Sequence, residues 1–285
     1  MSGTRLWVCL SRNQSRKVKT IKLFVKLGIA CLALCSYPGL AQQSQDWLLE
    51  KMPVDLETEF ALSALPPHLR DQSTLYLLDP RKGYYIARQG TNGFSTLVSR
   101  TDWEHGEFVQ DTYAAISYDA EGTKAYIPVF LDVAEMRASG KYNAVQIRDI
   151  IIKRVMDGTY KAPSRTGVSY MLSPLLRTYD ENLIVNLVLP HYMFYAPRVN
   201  NTDIGGIWDG HGPFAIGVGD VFNKEHATVH VLDKEHAIFN YIIIPAGETE
   251  KARIVEQNKD LLRKLAEYKS YLTIKTEQGA ANHQH

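Results

Sequence analysis

Apolar and polar positions change period several times along this chain, and each change marks an element. Between residues 73 and 100 the period is two: Ser73 to Leu78, Tyr84 to Gln89 and Phe94 to Arg100 read as strands. They are joined by Asp79-Pro80-Arg81-Lys82-Gly83 and by Gly90-Thr91-Asn92-Gly93. Asn-Gly turns tightly because both residues tolerate positive φ, so the three strands predict an antiparallel meander. Ala114 to Tyr118 predicts a fourth strand before the turn Asp119-Ala120-Glu121-Gly122, and Ala125 to Phe130 a fifth.

The period then lengthens. Val133 to Ala138 predicts a short helix stopped by Gly140. Asn143 to Asp157 predicts a longer one: Asn143 caps it, Ala144, Ile147, Ile151 and Val155 form one apolar face, and Gly158 stands where a C-terminal cap belongs. After Pro163 strand character returns at Val168 to Leu172, Leu183 to Leu189, Tyr192 to Ala196, Phe214 to Val218, Ala227 to Leu232 and His236 to Ile244. Residues 42–72 read as a polar, partly helical segment with Leu56, Phe60, Ala61 and Ala64 at helical spacing before Pro66-Pro67, a brace on the core. Thr249 to Leu272 places Ile254, Leu261, Leu265, Tyr268 and Leu272 on one face of a C-terminal amphipathic helix. Strands outnumber helices and the connections are short. This argues for an α+β fold, a mainly antiparallel sheet with two or three helices and the C-terminal helix. Residues 73–247 then make a single domain, 248–273 the C-terminal helix and 274–285 a disordered tail.

Charge and cysteine usage set the compartment. The first 26 residues carry seven basic side chains and no acid, and an apolar run of 11 residues, Leu27 to Tyr37, follows. A bilayer span needs about 20 apolar residues, so the pattern is that of a cleavable signal peptide over 1–41, with Gly39-Leu40-Ala41 as the cleavage site. Localisation is expected to be periplasmic or secreted. Cys9, Cys31 and Cys35 all fall inside that leader, so the 244 residues after it hold no thiol for a disulfide, a metal or a nucleophile. Taking the seven basic residues from 32 leaves 25 against 31 acidic ones, a net charge near −6. No basic footprint for nucleic acid remains, and no second apolar stretch of spanning length follows the leader.

Candidate chemistry concentrates in Pro190 to Phe214. His191, Asp203, Asp209 and His211 are donors within 21 residues, candidates for a catalytic set. His191, Asp203 and His211 are also candidate ligands for Zn²⁺, Mn²⁺ or non-haem iron, although the spacing matches no standard signature. Against this, Asn200, Asn201 and Asp203 also suit Asx turns among Gly205, Gly206, Gly210 and Gly212. The aromatic residues Tyr192, Phe194, Tyr195 and Trp208 with Arg198 suit a sugar, an aromatic ring or a carboxylate. Tyr195, Arg198, Asn201 and Trp208 are the candidate binding set. Within a strand, Tyr192 and Phe194 face one way and Met193 and Tyr195 the other, so at least one pair is expected in the core. His226 and His230 lie four apart but on a strand-like stretch without a His-Glu-x-x-His pattern. Ser169 and Ser173 sit in no Gly-x-Ser-x-Gly elbow, and no P-loop, dinucleotide fingerprint or haem-attachment motif occurs, so no cofactor is specified.

Several strings, ALSALPPHL (61–69), RQGTNGF (88–94), YDAEG (118–122), GVSYMLS (167–173), PHYMFYAP (190–197) and DIGG (203–206), together resemble an uncharacterised family of exported, signal-peptide-bearing bacterial proteins, over about residues 56–245. The resemblance implies no activity, cofactor or catalytic residue. Many of its members carry Cys near the positions of Thr96 and Ser117, where this sequence has none; if those cysteines pair, the resemblance implies that the two strands are neighbours.

Three readings follow. The first is an exported domain that binds a small molecule or an envelope partner, through the loop from Arg198 to His211 and the aromatic strand before it. The second is a hydrolase or lyase with His191 and His211 as base or ligands and Asp203 or Asp209 as the carboxylate. The third is a structural protein that oligomerises through an apolar patch around Leu261, Leu265 and Tyr268.

Overall fold

The computed structural model describes residues 49–101, 103, 112–180, 183–207, 212–217 and 235–274, all within one unit, Gln43–His285. The expected leader, the strand Ala227 to Leu232, His226, His230, Trp208, Asp209, His211 and residues 275–285 lie outside the described residues.

The strands are β1 (Thr74–Asp79), β2 (Gly83–Arg88), β3 (Ser95–Ser99), β4 (Tyr113–Tyr118), β5 (Val168–Met171), β6 (Leu176–Asp180), β7 (Leu183–Leu187), β8 (His191–Tyr195), β9 (Phe214–Ile216) and β10 (Tyr241–Pro245). The helices are α1 (Val54–Ser63), α2 (Pro67–Arg70), α3 (Ala120–Ala125), α4 (Ile127–Ala138), α5 (Ala144–Met156), α6 (Asn201–Ile204), α7 (Glu248–Gln257) and α8 (Lys259–Tyr268). The protein is α+β, as its period changes indicate, with one mixed sheet in the order β2-β1-β3-β4-β5-β8-β10-β9. Its second strand edge at β4 is shared: Ser117 and Tyr118 pair with β5, Tyr113 and Ala114 with β6, and β7 extends β6. Among the described residues there are eight α-helices rather than two or three.

The differences from expectation have physical causes. β3 does not follow β2 as the third strand of a meander; it enters on the far side of β1 and runs parallel to it. The loop that carries it there crosses the end of β1, and a Cβ on Gly90 would stand 2.2 Å from the backbone of Ser73 and Thr74. The crossing therefore requires glycine. The run Ala125 to Phe130 is helical, not extended. Pro128 sits in the first turn of α4, where its missing N–H costs nothing, and Asp119 caps α3 just before it. Because α4 buries Ile127, Val129, Phe130, Val133, Ala134 and Met136, its apolar positions show no clear stripe. The strand expected from His236 begins only at Tyr241, after turns. The C-terminal stretch is two helices, interrupted at Asn258, where the Asn258 side chain donates to Ile254 O at 2.8 Å.

Helices lie on both faces of the sheet. Residues of α4 and α5 pack with Leu97, Ile116, Tyr118, Met193, Tyr195, Tyr241 and Ile243 on one face. On the other, α1 and α8 pack with Leu75, Leu77, Val98, Tyr113 and Ala115. The alternation is direct: Leu97 and Val98 are neighbours in β3 and belong to different cores, as period two requires. Asn143 caps α5 as expected, and Gln146 completes a capping box: Asn143 accepts from Gln146 N and Gln146 accepts from Asn143 N. Thr96 stands opposite Ser117 across β3 and β4, the neighbour relation the resemblance implies. No helix of the described residues is long and apolar enough to cross a membrane.

Candidate functional site

The strand His191-Tyr-Met-Phe-Tyr195 decides where the candidate residues go. His191, Met193 and Tyr195 point into the α4–α5 core and are buried; Tyr192 and Phe194 point to the other face and are half-buried. Of the two pairs, Met193 and Tyr195 are therefore the core pair. His191 donates from Nδ1 to Leu189 O at 2.7 Å, since a carbonyl can only accept. Burial lowers its pKa to about 4, with the Leu189 carbonyl opposing. It is a neutral packing residue.

Tyr195 is buried as well. Its hydroxyl lies 3.0 Å from Asp119 Oδ1 and 2.9 Å from Val168 O, and burial first, then Asp119, raises its pKa. Asp119 also accepts from Glu121 N, Gly122 N and Val168 N, so one carboxylate joins α3, β5 and β8. Gly122 and Gly167 make room for the ring: a Cβ on Gly122 would lie 2.0 Å from the Tyr195 hydroxyl oxygen.

The loop after β8 is held by side chains that suited turns. Asn200 and Asp203 form a capping box on α6. Asn201 brackets Ala215, donating to its carbonyl at 2.8 Å and accepting from its N–H at 2.7 Å. Arg198 adopts φ 68° and donates from Nε to Glu235 O. His191 and this loop stand at opposite ends of β8, separated by roughly 13 Å of extended chain. The structure thus brings together Arg198, Asn201 and Asp203 and keeps His191 away from them. Asp209, His211 and Trp208 lie outside the described residues, and among the described residues no group of three His, Cys, Asp or Glu is placed to hold a metal. Ser169 and Ser173 are buried.

A cleft lies elsewhere on the molecule. Tyr192 lines a cleft of about 80 Å³ with Leu65, Pro66, Arg70, Leu172, Glu250 and Arg253 among its walls. The cleft lies between the α1–α2 corner, the β5 and β8 strand ends, and α7. Leu172 N donates to Ala64 O at 3.1 Å and fixes the floor to the corner. The Tyr192 hydroxyl donates to Glu250 Oε1 at 2.7 Å, and Arg253 pairs with the same oxygen at 3.4 Å. Burial, then the Glu250 carboxylate, pushes the Tyr192 pKa up to about 12.

From the cleft an aromatic row runs across the sheet. Tyr192 meets Tyr170 edge-on at 5.8 Å between centroids, and Tyr170 meets Phe94 at 5.8 Å. Val168, Phe194, Ile242 and Ile244 continue this face in register. All seven are half-buried or exposed, Ile244 at 39%, and none belongs to either core. Sequence reasoning missed Tyr170, Arg70, Glu250 and Arg253. Tyr170 was findable, because GVSYMLS alternates like the aromatic strand it pairs with; nothing in the sequence near Arg70 or α7 marks them.

The oligomer surface expected around Leu261 and Leu265 is filled from within: both are buried against α1 in the second core. Comparison with family models, curated proteins and solved structures returns no match to this chain.

Proposed function

We propose that this chain is an exported, periplasmic or secreted, binding module that takes a small molecule or the end of an envelope partner into the Tyr192 cleft and onto the aromatic row beside it. One observation carries this reading. Phe94, Tyr170 and Tyr192 form a continuous aromatic row that joins a polar cleft and belongs to neither core. Apolar surface of that kind, rimmed by polar groups, marks binding sites. The site thus moves away from the Arg198–His211 loop, where the Arg198, Asn200, Asn201 and Asp203 side chains are engaged in holding backbone.

The test is saturation-transfer NMR on the full-length chain with a mixed set of aromatic and aliphatic fragments, beside Tyr192→Ser. Transfer to aromatic fragments in the parent, lost in the variant, supports the module. Fragments that bind equally to both proteins would place the site elsewhere, and no transfer at all would sink the reading.

A further inference from the structure

We propose that the ligand of this cleft carries a carboxylate, received by Arg70, with its flat apolar part lying along Tyr192, Tyr170 and Phe94. The inference rests on the binding reading above and gives its ligand a chemical class.

Arg70 ends α2 and lines the cleft. A guanidinium has five N–H donors in a planar fork. Arg70 uses Nε on Leu65 O at 2.9 Å, and no acceptor among the described residues meets Nη1 or Nη2. Its backbone is held, with its carbonyl accepting from Arg88 Nη2 at 2.6 Å and from Ser73 Oγ at 2.9 Å. The side chain is half-buried, and burial alone, with no carboxylate contributing, lowers its pKa. A partly desolvated cation without a counter-charge is unfavourable by itself. The other charges of the cleft compensate one another: Glu250 is engaged by Arg253 and by the Tyr192 hydroxyl. Among the described residues, what remains uncompensated is the positive charge of Arg70, presented as a fork whose geometry matches a carboxylate.

Size decides the rest. Sites that enclose a drug-sized ligand measure about 300 to 1,000 Å³; this cleft, at about 80 Å³, encloses only a head group. The body must lie outside. Among the described residues the apolar surface that continues from the cleft wall is the row beginning at Tyr192, whose rings offer faces and edges to a flat ligand. An inorganic anion would use Arg70 alone and gain nothing from the row.

The test titrates the full-length chain, by calorimetry and NMR, with phenylacetate, phenylacetamide, phenethylamine and inorganic phosphate. It is repeated on Arg70→Gln, Arg70→Lys and Tyr170→Ser, each checked for folding by circular dichroism. Phenylacetate is expected to bind saturably and to weaken about ten- to a hundredfold in Arg70→Gln, the range for a lost charged hydrogen bond. Arg70→Lys should fall between. Tyr170→Ser should weaken phenylacetate and leave phosphate unchanged. Phenylacetamide or phenethylamine binding at Tyr192 as tightly as phenylacetate would overturn the carboxylate assignment and leave the binding module standing. Phosphate as tight as phenylacetate would overturn the role of the row. No binding by any of the four to a folded parent would overturn the assignment, and the fragment experiment then decides separately whether the cleft binds anything. If Arg70→Gln does not fold, the parent's ranking of the three phenyl ligands and the Arg70→Lys variant decide.

Discussion

Replacing Glu57 by Gln should stabilise this protein, and by an amount that depends on pH. Glu57 stands on α1 with 2% of its surface exposed, and its Oε1 accepts the Leu78 N–H at 2.8 Å. Burial raises its pKa from 4.5 to about 7, against the opposing pull of the Leu78 N–H, Arg100 and Lys51. The folded-state pKa is therefore above the unfolded one. Below pH 4.5 the carboxyl is protonated in both states and costs nothing; as pH rises toward 7 the unfolded chain ionises first, and stability is lost. Each pKa unit is worth 1.36 kcal/mol, so the difference between 4.5 and about 7 amounts to about 3 kcal/mol above pH 7. Gln keeps a carbonyl oxygen for Leu78 N and removes the charge. Urea denaturation followed by circular dichroism at pH 4.5, 6, 7 and 8 measures the gap between variant and parent. The gap is expected to widen by about 3 kcal/mol across that range. A gap that stays constant would refute the burial of an ionisable group under α1.

His191 should show the opposite sign. Its folded pKa of about 4 lies below the unfolded 6.5, so stability is lost as pH falls through that window, and the gap between His191→Gln and the parent should shift in favour of the variant by about 3 kcal/mol from pH 7 to pH 4, as denaturation at those two values would show. Asp119→Ala removes a helix cap and leaves the Val168 N–H short of its acceptor, while the Tyr195 hydroxyl keeps Val168 O, for a loss of about 3 kcal/mol in chemical denaturation. Phe194→Ala should cost about 2 kcal/mol, less than the 3 to 5 of a fully buried ring, whereas Phe130→Ala, with 0% exposure, should cost the full amount; equal losses would place Phe194 in a core. Leu265→Ala should destabilise by about 3 kcal/mol without changing the sedimentation coefficient of the folded protein; a change of oligomeric state would restore an interface role for α8.

How much of this was legible follows from where each signal lives. α5 is readable because its cap, Asn143, and its stripe, Ile147, Ile151 and Val155, are local and agree. The Ala125 to Phe130 run misleads because a helix buried on most sides loses its period, leaving Pro128 as the surviving sign. The alternation in His191 to Tyr195 separates two faces but does not say which one receives a second layer. That depends on α4 and α5, distant in sequence. His191 therefore looks like a ligand and is a core residue, while Tyr192 looks equivalent to Tyr195 and opens on the cleft. Asn200, Asn201 and Asp203 suited turns, and they do cap and bracket the backbone. Arg70 was invisible because its importance is the absence, among the described residues, of an acceptor for Nη1 and Nη2, which only packing reveals.

The most direct measurement is an NMR titration of the full-length chain with ¹³C-labelled tyrosine rings, assigned by single Tyr→Phe variants, during addition of the fragments that bind. Shifts at Tyr170 and Tyr192, with Tyr118, Tyr126 and Tyr195 unmoved, are expected if the open row is the binding surface. Bound fragments that leave Tyr170 and Tyr192 unmoved would contradict it.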